Sequence, residues 1–121
     1  MLINCLLAGA GGALGSTIRY LLGLLPLGSK TFPLTTLGIN VIGAFFVGLI
    51  AATAGKNSSF DPRLLLFLRI GICGGFTTFS TFSLESLEML QSGKTIAAVI
   101  YMVLSVILCI AAVGLAQAII K

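Results

Sequence analysis

The stretch Gly71-Ile72-Cys73-Gly74-Gly75-Phe76-Thr77-Thr78-Phe79-Ser80-Thr81-Phe82-Ser83 decides how the rest of the chain is read. Apolar sequence leads into it from Leu64 and continues to Leu90, which places it near the middle of a membrane-spanning segment. Glycines and a Thr/Ser run are poor material for an uninterrupted helix. Each Gly costs about 1 kcal/mol relative to Ala, and β-branched Thr adds to that. A backbone group freed in lipid costs several kcal/mol more unless protein, ion or water satisfies it. Two readings follow from these residues alone. The helix is broken at mid-depth to build a binding site, or the glycines form a packing surface with the hydroxyls bonded back to the preceding turn.

Working outward, the composition fixes the class. Of 121 residues, 58% are hydrophobic and 8% charged, and the mean hydropathy is +1.18. A soluble domain of this size cannot bury that much apolar surface. The chain reads as an all-α integral membrane protein, a single domain over residues 1–121 with four spans at about 2–25, 34–54, 63–91 and 95–120, each long enough to cross a bilayer. The third is the span expected to break, at its glycines. Pro26, Gly28, Ser29, Lys30 and Pro33 make the first loop, and Gly55-Lys56-Asn57-Ser58-Ser59 a polar turn. Asp61 reads as an N-cap with Pro62 at the first helical position, and Ser92-Gly93-Lys94 as a tight connection. The first span has no basic leader before it and is not read as a cleaved signal.

Charge excludes several functions. The net +4 is dispersed over loops and segment ends, with no basic run of the kind that binds nucleic acid. There is no His, hence no imidazole metal site or histidine acid–base chemistry. Cys5, Cys73 and Cys109 are isolated in separate apolar segments and read as buried free thiols. The acids are Asp61, Glu85 and Glu88, and no nucleophile–base set accompanies them, so the chain is not read as an enzyme. With four spans, Lys56, Arg63 and Lys121 share one side while Arg19, Lys30 and Lys94 share the other, three against three. Arg69 tips the balance only slightly. So small a positive-inside bias permits insertion both ways and hence an antiparallel two-fold dimer.

Few polar side chains lie within the spans. Gly11 and Gly15 form a small-xxx-small pair suited to close helix packing. Arg19, one turn on, either snorkels to the interface or supplies a fixed positive charge at a pore mouth. Asn40, flanked by Gly38 and Gly43, either bonds helices together or offers its NH2 to a dehydrated anion. Phe79 and Phe82 share a helix face, and the electropositive ring edges of such a pair can solvate an anion. Thr81 and Glu85, with Ser80 beside them, make one polar stripe, and Tyr101, Ser105 and Cys109 another. The stripes either bond helices or line a narrow water path.

Taken together, these motifs resemble the Fluc/CrcB family of bacterial fluoride channels. The glycine–threonine stretch carries most of the resemblance, supported by Gly11-Gly12-x-x-Gly15-x-x-x-Arg19-Tyr20 and Thr36-Leu37-x-x-Asn40-x-x-Gly43. The resemblance implies a passive, fluoride-selective channel of the bacterial inner membrane, assembled as an antiparallel dual-topology homodimer with two pores. It implies that Phe79 and Phe82 offer ring edges and Asn40 its amide to fluoride. Ser80, Thr81 and Glu85 would form one polar track and Tyr101 and Ser105 the facing one. Gly74 and Thr77 would lend carbonyls from both subunits to a buried sodium ion. Cys109 departs from the hydroxyl expected at its position. Two other functions stand beside this one: a small four-span multidrug exchanger, which would want an acid in span one, and a non-transporting membrane assembly subunit.

Overall fold

The computed structural model describes residues 1–25 and 32–120. Pro26, Gly28, Ser29 and Lys30 of the expected first loop, and Lys121, lie outside them. The described chain is all-helical, and four helices or helical runs are long and apolar enough to cross a membrane. Helix α1 spans Leu2–Gly23 and α2 spans Leu34–Lys56. The third run begins with α3, Pro62–Leu66, passes into a π-helical segment, Phe67–Cys73, and continues as α4, Gly74–Phe76. Thr77 (φ −83°, ψ 156°) and Thr78 (φ −148°, ψ 116°) are extended, and α5 then spans Phe79–Gln91. Helix α6 covers Thr95–Ile120.

The helix ends follow their local chemistry. Asp61 caps α3 as expected, its carboxylate accepting the Arg63 N–H at 2.9 Å, with Pro62 in the first turn. α1 stops two residues short of the expected Leu25, where the Leu24 and Leu25 N–H groups close on carbonyls three residues back. α2 runs two residues past the expected Ala54 before Asn57 turns the chain, its Oδ1 accepting from both the N–H and the hydroxyl of Ser59. Gly93 sits at φ +83°, the left-handed conformation that ends a helix most cheaply in glycine, and the Lys94 N–H returns to the Met89 carbonyl at 2.9 Å.

Packing divides the third run between two partners. α1 lies along the π-helical segment and α4, whereas α2 lies along α6, which also receives α5. Glycines allow the first contact. A Cβ on Gly11 would stand 2.8 Å from the Gly71 Cα, one on Gly75 2.6 Å from the Gly12 carbonyl oxygen, and one on Gly15 would collide with the Ile72 carbonyl. The small-residue pair of span one is thus a packing face, and Gly71 and Gly75 are its counterpart. Gly48 plays the same part between α2 and α6, where a Cβ would meet the Val113 carbonyl and the Ala116 methyl, both at 2.9 Å. Leu37, Met89, Ala98 and Tyr101 form the buried core, with Phe82 and Val41 against it. Large apolar side chains elsewhere, from Leu2 to Ile119, are exposed on the single chain, as expected where lipid or another subunit replaces water.

Candidate functional site

The two extended threonines leave backbone groups without helical partners, and side chains from other helices take them up. Asn40 on α2 reaches Thr78 twice: its Oδ1 accepts the Thr78 N–H at 2.8 Å, and its Nδ2 donates to the Thr78 carbonyl at 3.1 Å. Arg19 on α1 donates through Nε to the Gly75 carbonyl at 3.1 Å, and the Ser16 hydroxyl reaches the same oxygen at 3.5 Å. The Thr78 hydroxyl caps α5 by accepting the Thr81 N–H at 3.1 Å. That hydroxyl also donates to Thr81 Oγ1 at 3.1 Å and lies 3.3 Å from Ser80 Oγ. The Thr77 hydroxyl bonds back to the Cys73 carbonyl at 2.9 Å.

Of the two expectations for Asn40, the bonding of helices together holds, since it ties α2 to the third span. The amide bonds to backbone rather than to another side chain, and one of its two N–H groups is left over. Asn40 also borders a cavity of about 410 Å³, lined with it by Thr77, Thr78, Phe79, Phe82, Ser105 and Cys109, with Gly43 and aliphatic side chains completing it. Phe79 and Phe82 do share a face, with ring centroids 5.6 Å apart at 46°. They differ in setting: Phe79 is 77% exposed, while Phe82 packs on the Tyr101 ring at 5.1 Å. The Ser105 hydroxyl is buried and has no hydrogen-bond partner among the described residues. Such a group costs about 1–3 kcal/mol unless something that enters the cavity satisfies it.

The two polar stripes meet at one carboxylate. Glu85 accepts the Tyr101 hydroxyl at 3.0 Å through one oxygen and the Thr36 hydroxyl at 3.1 Å through the other. Three helices, α2, α5 and α6, are tied there. Thr81 lies to the other side, in a second cavity of about 250 Å³ that it shares with Arg19, Tyr20, Thr35, Thr36 and Thr78. Thr78 borders both cavities, so the backbone interruption stands between them. Ser80 is exposed and touches the site only through the Thr78 hydroxyl. Arg19 neither snorkels freely nor stands as a bare charge: its guanidinium is docked on the Gly75 carbonyl while lining the second cavity.

Thr36, Thr78 and Ser16 were given no role by the sequence reading. For Thr36 a signal was present, since it precedes Asn40 by four residues and so shares its helix face. For Thr78 the extended backbone provides the reason, and no periodicity in the sequence announces it.

Comparison with known proteins places this geometry in context. The family model described as CrcB-like protein, Camphor Resistance (CrcB), matches residues 6–117. The chain is 41% identical over 115 residues to a protein of Azobacteroides pseudotrichonymphae named fluoride-specific ion channel FluC, covering 93% of this chain and 92% of the relative. It is 42% identical over 112 residues to the like-named protein of Rhizobium meliloti, covering 91% and 90%. A third, from Ruminiclostridium cellulolyticum, is 40% identical over 122 residues, covering 99% and 94%.

Proposed function

The chain belongs to the CrcB family, and from that premise we propose that it is a fluoride-selective passive channel of the bacterial inner membrane, built as an antiparallel dual-topology homodimer with two pores. It is a multi-pass membrane protein and a channel rather than an enzyme. The observation that carries the reading is the cavity in which Asn40, Phe79 and Phe82 come together beside the Thr77–Thr78 interruption. Fluoride is small and strongly hydrated, so a narrow apolar path alone excludes it more than chloride. A site that replaces its water reverses that order. The spare N–H of Asn40 and the ring edges of Phe79 and Phe82 are such a site without a fixed charge.

The second cavity, with the Arg19 guanidinium and its threonine hydroxyls, serves as the mouth at which anions collect. Beyond the rings, Ser105 offers a hydroxyl that no described residue occupies. Glu85 would repel an anion if bare, but its two oxygens are held by Thr36 and Tyr101, which spread its charge into hydroxyl dipoles. The exposed face of Phe79 is the surface that a second copy would cover, making each pore from both subunits. Neutral HF entering the cell ionises inside, and an inside-negative potential drives the anion out with about 2.3 kcal/mol per charge per 100 mV.

The sodium expected at Gly74 and Thr77 fits the backbone here. In a continuous α-helix the Thr78 N–H would close on the Gly74 carbonyl and the Thr81 N–H on the Thr77 carbonyl. Those two donors go instead to Asn40 Oδ1 and Thr78 Oγ1. Carbonyl oxygens relieved of helical donors are hard ligands that suit an alkali cation. Gly74 is also exposed, as a group shared between two subunits would be on the isolated chain. When bound, the ion would join the two subunits and fix the interrupted span. The exchanger is disfavoured, since α1 carries no acid.

The test is fluoride efflux from liposomes holding the purified protein, read with a fluoride electrode beside a chloride electrode. Rapid fluoride release with chloride near background is expected. No fluoride release from a dimeric, correctly folded preparation would overturn the channel reading.

A further inference from the structure

Asn40 has two positions it could serve, and they are separable. Its side chain borders the cavity, and through one N–H and the oxygen it holds the backbone of Thr78. We infer that Asn40 is a positioning residue for the cation site: by accepting the Thr78 N–H it keeps that donor off the Gly74 carbonyl, leaving the oxygen free for the ion. The inference rests on the sodium reading above and adds to it the residue on which the ion's affinity depends.

The geometry supports a specific clamp rather than general adhesion. Both bonds from Asn40 fall on one peptide-bearing residue, Thr78, whose φ of −148° lies far from helical values. One turn along the same face of α2, Gly43 lies so close that a Cβ there would collide with the Thr77 methyl group. Helix α2 therefore presses on both extended residues at once. The neighbouring Gly75 carbonyl is taken by Arg19 and Ser16, so of these adjacent carbonyls it is Gly74 that remains available. Remove the Asn40 oxygen, and the Thr78 N–H loses its partner; the acceptor an ordinary helix would give it is the Gly74 carbonyl. The ion would then compete with a backbone hydrogen bond for its own ligand.

The experiment measures thermal unfolding of the purified dimer against sodium chloride, with N-methylglucamine chloride holding ionic strength constant. The parent is expected to be stabilised by sodium with a defined midpoint. Asn40→Leu should raise that midpoint at least about tenfold. Asn40→Asp, which keeps an oxygen for the Thr78 N–H but loses the donor to its carbonyl, should raise the midpoint less than Asn40→Leu does. Phe79→Ile, which alters the cavity and not the clamp, should leave the midpoint unchanged. If Asn40→Leu does not purify as a dimer in saturating sodium, Asn40→Ser replaces it, since serine at this position is too short to reach Thr78. A sodium midpoint in Asn40→Leu or Asn40→Ser equal to the parent's, or one raised equally in Asn40→Asp, would overturn the inference while leaving the sodium site standing. A parent indifferent to sodium would remove the site itself, and the inference with it.

Discussion

Replacing the two phenylalanines one at a time separates conduction from packing, because the structure gives them unequal surroundings. Phe79 has one aromatic neighbour, Phe82 at 5.6 Å, and is 77% exposed on the single chain. Phe82 has two, Phe79 and Tyr101, and packs against the buried core. An aromatic pair contributes about 0.5–1.5 kcal/mol beyond its area, so Phe82→Ile forfeits about one pair more than Phe79→Ile. Within one subunit, Phe82→Ile should therefore be the less stable by about 1 kcal/mol. Both rings border the same cavity, however, and both replacements remove an electropositive edge. Each should slow fluoride efflux at least about tenfold, or about 1.4 kcal/mol on the barrier. Liposome efflux, paired with thermal unfolding of the same preparations, measures the two quantities independently. If the flux losses rank with the stability losses, and Phe79→Ile conducts like the parent, the rings are packing residues and the assigned pore is wrong.

Two further outcomes are expected. Gly75→Ala would place a methyl 2.6 Å from the Gly12 carbonyl oxygen and 2.9 Å from its Cα, contacts with backbone that cannot swing aside. Overpacking of this kind costs about 1–3 kcal/mol, so the purified variant should unfold well below the parent in a melting experiment, whereas Gly23→Ala, which meets nothing within 4 Å, should match it. Adding two lysines to the loop after Lys56 should drive the population to one orientation and lower activity for want of antiparallel partners. A C-terminal reporter found on a single face of the membrane in the unmodified protein would refute dual topology.

Much of the fold was legible because membrane spans are written in composition. Runs of about 20 apolar residues, the Asp61-Pro62 start and the Ser92-Gly93-Lys94 turn each act locally, and the helices begin or end within two residues of where those signals put them. The pairing of Gly11 and Gly15 with a glycine face was equally readable in kind, though its partner, Gly71 and Gly75, had two possible uses in the sequence. In the structure the glycines of the stretch pack on α1, and the backbone turns extended at Thr77 and Thr78 rather than at the glycines, which stay in a helical turn. What periodicity could not convey is which distant group answers each freed backbone atom. The π-helical winding of Phe67–Cys73 shifts every later residue around the axis relative to an α-helical count. The reach of Asn40 to Thr78, and of Arg19 to Gly75, spans 38 and 56 positions. Thr36 and Tyr101 converge on Glu85 in the same way, since three separate helices must already be docked.

The order in which the clamps occur along the chain bears on how the protein is made. Helix α5 has 13 residues, about 20 Å, which falls short of the roughly 30 Å hydrocarbon layer. The helical run from Pro62 to Phe76 is little longer. Neither half can cross the bilayer alone, so both must enter together, and in the finished fold the Thr78 N–H and the Gly75 carbonyl take their partners from other helices. Ser16, Arg19 and Asn40, which meet those groups, all lie N-terminal to them. They have left the ribosome before the third span emerges and await it in the membrane. A circular permutation that made the third span the first to be synthesised would keep the same contacts in the finished fold, yet send that span into lipid before the side chains that hold it interrupted.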